Sequence, residues 1–417
     1  MMSPLPNGDV KVIEPFHNGL RVLLHEDHAQ PIVAMQVIIH GGATAQNNAS
    51  GVAHLLEHTS FVRTANYQDF FSPQFELELA GGQLNAVTSR DTIRYKGIVS
   101  SHNVDALVTV LSEIVLSPQL TETDCNNERP IIQTEIMRSY ENPVAELIDN
   151  AYAQTYHSHP YKYSPLGSPT DIAAVSLNEL KAFQRTWFVP NNISIVFVGD
   201  ITPSQVIALL EKSFGAAKPG SLPAWPAREQ AETGAMVTAH LYKPLTTTYQ
   251  AMVFQAPSDS RISAIASTDL AITLLADGPD ALLPHVWLRD GISVHRFGVE
   301  YVPLRSQGRI CIWAETSPDV ADKLRISTLR FLQQVSGSFI DPAHIVAAKQ
   351  RLTTQFVMEN QSYVQQADTI AFYEGLGDGL LACSYLPTLQ SISDTQIRNA
   401  IPVRCLAWVT LGMTPKG

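Results

Sequence analysis

His54, Glu57 and His58 stand together in the run His54-Leu55-Leu56-Glu57-His58. Two imidazoles four positions apart on a helix share a face and can aim ring nitrogens at one cation. Glu57, three positions from His54, lies on the same face and can take a proton from a water held by that cation without being a ligand itself. The order is that of H-E-x-x-H with the helix direction reversed. Zinc that works catalytically takes three protein donors and leaves a fourth position to water, so a third donor must come from elsewhere. A second helix-like run opens at Thr121 and places Glu128 and Glu135 seven positions apart on one face, with Pro130 between them as a potential kink.

The segments around these residues are those needed to hold them. Gly41-Gly42 closes an apolar strand, Asn47-Asn48-Ala49-Ser50 offers N-cap residues, and Val52, Leu55 and Leu56 supply the buried side of a helix that nothing interrupts before Ser60. Strand patterns such as Arg21 to Leu24 and Ile193 to Val198 are interspersed with helix patterns such as Val104 to Val115 and Leu177 to Thr186. There is no regular β-α-β alternation and no glycine-rich phosphate loop. The fold class expected is therefore α+β, with helices packed on one face of a largely antiparallel sheet.

The chain also repeats itself. At a constant offset of 216 residues, Ser100 to Leu107 falls on Thr316 to Lys323, the strand Met35 to Ile39 on Ala251 to Gln255, and the His54 helix on the run Ser267 to Leu275. The metal set does not repeat: His54 falls on Leu270, Glu57 on Thr273, His58 on Leu274 and Glu135 on Arg351. One fold is used twice, and the second copy lacks the ligands. Three prolines and a glycine between Ala216 and Pro226 mark a linker, giving domains 1–215 and 232–417 about a linker 216–231.

At this point the sequence resembles the inverted-motif zinc peptidases, the family of pitrilysin, insulin-degrading enzyme and the mitochondrial processing peptidases. The H-x-x-E-H run is followed in that family, after about 76 residues, by a glutamate ligand, and Glu135 stands there. The family's second acidic residue, seven positions earlier, is matched by Glu128. Gly81 to Thr88 looks like its substrate-binding edge strand with an Asn-Ala pair, here Asn85-Ala86, and Tyr163 to Gly167, Trp187 to Asn192 and Val198 to Asp200 echo later landmarks in order. The resemblance covers essentially the whole chain. It implies one zinc held by His54, His58 and Glu135, catalysis by Glu57 supported by Glu128, and peptide binding along Asn85, Ala86 and Thr88. It also implies two homologous domains forming a half-clamshell.

A site with two neutral imidazoles and one carboxylate leaves a zinc ion with net positive charge, which brings the pKa of water on it from about 15.7 toward roughly 7. The activity expected is that of a zinc endopeptidase acting on peptides or unstructured segments in an enclosed chamber. The alternative is a non-catalytic structural or core subunit of a larger complex. The family carries an arginine followed seven residues on by a tyrosine that contact substrate near the zinc. Arg289 stands at the arginine position, but residue 296 is Arg296. This gap suggests that a related metal-free chain supplies the Arg/Tyr pair in a heterodimer, with a homodimer as the other option.

Composition narrows the remaining classes. The formal charge of -11 disfavours general nucleic-acid binding. No apolar run is long enough to span a bilayer, and Met1 to Pro6 has no basic segment followed by a hydrophobic one, so the expectation is a cytoplasmic chain without a membrane span. Four cysteines without close pairs read as thiols rather than a disulfide framework.

Overall fold

The computed structural model describes residues 9–13, 16–46, 51–67, 72–227, 235–257 and 261–413. The capping candidates 47–50, residues 1–6 and positions 228–231 of the linker lie outside the described residues.

The first half contributes strands β1 (Lys11–Ile13), β2 (Arg21–Glu26), β3 (Ile32–Ile39), β4 (Gln83–Thr88), β5 (Ile93–Ser100) and β6 (Ile193–Gly199). Its helices are α1 (Val52–Ser60), α2 (Pro73–Leu79), α3 (Val104–Leu116), α4 (Glu122–Glu141), α5 (Pro143–Thr155), α6 (Pro169–Ala174), α7 (Leu177–Trp187) and α8 (Pro203–Ser213). The second half contributes strands β7 (Val237–Tyr242), β8 (Thr248–Gln255), β9 (Arg296–Tyr301), β10 (Arg309–Thr316) and β11 (Cys405–Gly412). Its helices are α9 (Ile262–Ala276), α10 (Leu282–Arg289), α11 (Ala321–Ser336), α12 (Pro342–Met358), α13 (Tyr363–Leu376), α14 (Leu381–Ser391) and α15 (Asp394–Ala400).

The strands form two sheets of the same design. The first runs β1-β2-β6-β3-β5-β4 and the second β7-β11-β8-β10-β9. Among these pairings only β2 with β6 and β11 with β7 are parallel. β3 and β8, like β5 and β10, begin and end 216 residues apart. The offset drifts at the periphery, where β9 starts 213 residues after β4.

Burial explains the central positions. β3 and β6 read as near-continuous apolar runs and are buried on both faces. β5 alternates, sending Ile93, Tyr95 and Val99 to the core and Arg94 and Lys96 to the other face. α1, α2 and α3 pack on the first sheet and α9 and α11 on the second, and each sheet is also covered by a helix from the other half of the sequence. α13 packs on β3 and β6, where Gln36 Nε2 donates to Asp368 at 2.8 Å and Ser194 Oγ donates to Glu374 at 2.7 Å. α5 packs on β8 and β11, burying Leu147, Ala151 and Tyr152 against Ala251, Val253 and Val409. The compact units are accordingly discontinuous: residues 1–137, 163–226 and 357–383 form one, and 138–162, 227–356 and 384–417 the other. A cut between 215 and 232 marks the repeat, whereas packing exchanges one helix each way.

Leu270, Thr273 and Leu274 are buried on α9, and Arg351 on α12 is ion-paired with Asp280 at 2.7 Å. None of the four cysteines forms a disulfide; Cys125 and Cys311 are buried and Cys383 and Cys405 half-buried. Among the described residues no helix is long and apolar enough to cross a membrane.

Candidate metal centre

α1 is held from both ends of its burial. Ala53, Leu55 and Leu56 are fully buried beneath it. Its start is a glycine, not one of the polar residues expected from the sequence: Gly51 has φ of 99°, and the cap is completed from a distance by Gln46 Oε1, which accepts from the Val52 N–H at 2.8 Å. Gly51 lies against Gly167, itself at φ of 81°, and a Cβ on Gly167 would come within 2.8 Å of the Gly51 Cα. Two glycines at positive φ therefore let the 163–167 turn close over the helix start.

That approach delivers a backbone acceptor. The Leu166 carbonyl lies 3.1 Å from His54 Nδ1, and the Glu128 carboxylate 3.1 Å from His58 Nδ1. Each imidazole can thus donate its Nδ1–H to an oxygen, which orients the ring and turns Nε2 toward Glu135 as the atom a metal would take in place of a proton. Both Nε2 atoms lie 3.5 Å from the same Glu135 oxygen, Oε2. The three candidate donor atoms are all within 4.8 Å of one another, and they form a metal-capable cluster of buried, half-buried and exposed members.

These distances test whether a metal fits. A tetrahedral ion about 2.0–2.2 Å from each donor holds its donors about 3.3–3.6 Å apart, and the two imidazole–carboxylate separations match that edge. The donor chemistry, two imidazoles and one carboxylate, suits zinc. α4 reaches the site with both glutamates because it continues through Pro130 as one helix, capped at its start by Thr121 Oγ1 accepting from the Asp124 N–H at 3.1 Å. Arg63 anchors the same turn through Asp124 at 2.9 Å.

Electrostatics follow from the arrangement. Burial works against a charged His58, but the hydrogen bonds to Glu128 and Glu135 override it and raise its pKa to about 9. Hydrogen bonds from His54 and His58 hold the Glu135 carboxyl well below the usual range. Glu57 goes the other way: it is buried, and desolvation raises its pKa against the opposing hydrogen bond from Thr88 and the nearby imidazoles.

An open cleft of about 740 Å³ contains His54, Glu57, His58, Glu128 and Glu135 and is bounded by β4. β4 is an edge strand of its sheet. Asn85 and Ala86 line the cleft; the Asn85 side chain is engaged locally, its Oδ1 accepting from the Ala86 N–H at 2.8 Å. Thr88, expected to contact substrate, also lines the cleft, and its hydroxyl donates to Glu57 Oε2 at 2.5 Å. Arg289 ends α10 in the other compact unit, about two-thirds exposed and bonded to Asp290. Arg296, at the tyrosine position, begins β9 and is exposed.

Sequence reasoning missed the Leu166 carbonyl because a main-chain acceptor has no residue signature; Gly167 was its only trace. It also missed the Thr88–Glu57 bond, although strand alternation places Thr88 with Ala86 on the α1 side of β4.

A family profile described as "Insulinase (Peptidase family M16)" matches residues 21–169, and one described as "Peptidase M16 inactive domain" matches residues 174–362. A zinc protease named PqqE from Helicobacter pylori is 29% identical over 206 residues, 48% of this chain and 46% of that protein. The beta subunit of a mitochondrial-processing peptidase from Caenorhabditis elegans is 27% identical over 210 residues, 50% of this chain and 45% of that protein. The matched stretch thus spans about half the length of these curated relatives. Among solved structures, a protease from Helicobacter pylori superposes with a TM-score of 0.87 at 21% identity, covering 98% of this chain and 100% of the other. At that identity the likeness speaks to the fold.

Proposed function

The chain belongs to the insulinase family of peptidases, M16, and from that premise we propose that it is a zinc-dependent endopeptidase cutting peptides or unstructured segments inside an enclosed chamber. The observation that carries this is the donor triangle, His54 Nε2, His58 Nε2 and Glu135 Oε2, with Glu57 on the adjoining turn and no donor role of its own. Curated relatives include proteins named zinc proteases, which supports zinc as the ion.

His54, His58 and Glu135 would hold the zinc, which supplies Lewis acidity to a water and to the substrate carbonyl. Glu57 is suited to its part by position: it lines the cleft beside both imidazoles, is not one of the three donors, and has its Oε2 engaged by the Thr88 hydroxyl. It takes the proton from the attacking water and returns it to the leaving amine. Glu128 acts through His58, orienting the ring. The edge of β4 offers unpaired backbone N–H and C=O groups on which an extended peptide can add as a further strand.

A partner enters this reading through the absence of a tyrosine at position 296. A related metal-free chain would supply the Arg/Tyr pair, as a heterodimer; a homodimer is the other arrangement. The relative named as a beta subunit is by its name part of an assembly. The match of residues 174–362 to an inactive-domain profile keeps a second reading, a non-catalytic core subunit, in view. Against that reading stands the complete donor set with its base, which a scaffold does not require.

The test pairs metal content with turnover. Native chain and Glu57→Gln are expected to hold the same amount of zinc, about one per chain, while Glu57→Gln loses cleavage of a mixed peptide library by at least about 100-fold. Equal cleavage by both, or no zinc uptake by the native chain, would overturn the proposal.

A further inference from the structure

The end of β4 and the helix that carries Glu57 are built onto one another. α1 packs on β4, and both are tied to the buried residues 43–46. On one side the Ala43 N–H donates to the Ser89 carbonyl at 3.0 Å and the Thr44 N–H to the Arg90 carbonyl at 2.8 Å, which docks the turn between β4 and β5. On the other side Gln46 donates to the Ala43 carbonyl at 3.1 Å and caps α1 at Val52. Gly42 lets the turn come this close, since a Cβ there would run into the Ser89 carbonyl oxygen. Thr88, the last residue of β4, and Glu57 on α1 therefore stand on one common support.

Across this joint the Thr88 hydroxyl donates to Glu57 Oε2 at 2.5 Å. A threonine hydroxyl has one proton to donate. Here it is committed to the carboxylate, so none is left for a substrate carbonyl. Glu57 needs such a hold. It is a long, flexible side chain lining the cleft beside both imidazoles, where it could close on a cation held by the donors as a further ligand and be lost as a base. With one oxygen anchored on β4, the carboxylate presents the other, Oε1, in one orientation.

The anchoring strand is also the one at the sheet edge. A peptide added along β4 is thus set in register by the same element that holds the base. We infer that Thr88 is a positioning residue, whose hydroxyl holds Glu57 in the orientation of a base and away from the ion, rather than a residue that binds substrate. This rests on the peptidase reading above and names a residue on which the reaction of that site depends.

The experiment compares Thr88→Val, which keeps the branched shape and removes the donor, with Thr88→Ser, which keeps the donor, on a fluorogenic peptide cut by the native zinc-loaded chain. In Thr88→Val kcat is expected to fall about 10- to 100-fold with KM within about twofold of native, and in Thr88→Ser kcat is expected to return to within about threefold of native. Zinc affinity, read by competition with a chromogenic chelator, is expected to stay at or above the native value in Thr88→Val. Binding of the same peptide to the Glu57→Gln chain, followed by fluorescence polarisation, is expected to change by less than about twofold when Thr88→Val is added. Native kcat in Thr88→Val, or a Thr88→Ser enzyme as slow as Thr88→Val, overturns the inference. So does a fall in zinc affinity that parallels the fall in kcat, which would mark a structural role, or a loss of peptide binding of about 10-fold, which would place Thr88 on the substrate. Each of these leaves the peptidase reading standing, whereas a native chain that cleaves no peptide overturns that reading and the inference with it.

Discussion

Replacing Glu128 by glutamine isolates what a carboxylate contributes from one bond behind a candidate ligand. Glu128 accepts from His58 Nδ1 at 3.1 Å, with its side chain only 18% exposed. Glutamine keeps the size and an acceptor oxygen but removes the charge. A hydrogen bond to a charged group contributes about 1.5–3 kcal/mol and a neutral one about 0.5–1.5, so the change weakens the hold on the ring by about 1–2 kcal/mol. If that hold is what presents Nε2 to the ion, zinc affinity falls by about 5- to 30-fold, which overlaps the lower part of the roughly 10–100-fold span typical of residues behind a ligand. Competition against a chromogenic chelator at fixed pH and salt reads the affinity. With zinc saturating, kcat/KM should fall less than affinity does. Glu135→Gln, which loses a donor in the triangle, should weaken zinc by far more than Glu128→Gln. Native-like zinc affinity in Glu128→Gln, within twofold, would refute the claim that this carboxylate acts through His58.

Gly167→Ala puts a methyl group 2.8 Å from the Gly51 Cα at a φ of 81°, and should cost about 1–3 kcal/mol of stability and weaken zinc by moving the Leu166 carbonyl off His54; an unchanged melting temperature together with unchanged zinc affinity would count against it. Asp269 on α9 tests linkage away from the metal: desolvation raises its pKa to about 7, opposed by the Tyr385 hydroxyl at 2.8 Å. Because the folded chain binds a proton that the unfolded chain releases between about pH 4 and 7, stability should decline as pH rises through that window and level off above it. Asp269→Asn removes the loss, worth at most about 4 kcal/mol, so its melting temperature should exceed the native value at pH 8 but not at pH 4; equal melting at pH 8 would show that the carboxyl is not desolvated.

What was legible in the sequence was local or periodic. His54, Glu57 and His58 declare themselves because helical spacing alone puts them on one face, and the same rule pairs Glu128 with Glu135; that the second of these completes the triangle came from resemblance, since no spacing argument relates α1 to α4. The repeat was legible at β3 and β8 and at β5 and β10 because central strands admit no insertion without breaking register on both sides. At the edges, where one neighbour is missing, the offset slips by three residues between β4 and β9. The exchange of α5 and α13 was not legible: each carries an apolar side that fits a sheet, and nothing local says which sheet.

The second half shows why the fold and the site part company. Its counterpart of α1 keeps the burial of Leu270, Thr273 and Leu274, and Arg351 on α12 finds its carboxylate in Asp280 at 2.7 Å. A buried or half-buried cluster of imidazole and carboxylate is expensive to desolvate unless a cation compensates it. Once that cation is not used, apolar side chains and a satisfied internal ion pair fill the same positions at lower cost. The first half has not taken that route: His54 is 4% exposed, Glu57 is 8% exposed with its pKa raised by burial, and both imidazoles have their Nδ1 atoms tied to oxygens. A polar set kept buried beside a copy that carries apolar side chains at the same positions is what the proposed zinc site would need, and the alternative of a scaffold offers no use for it.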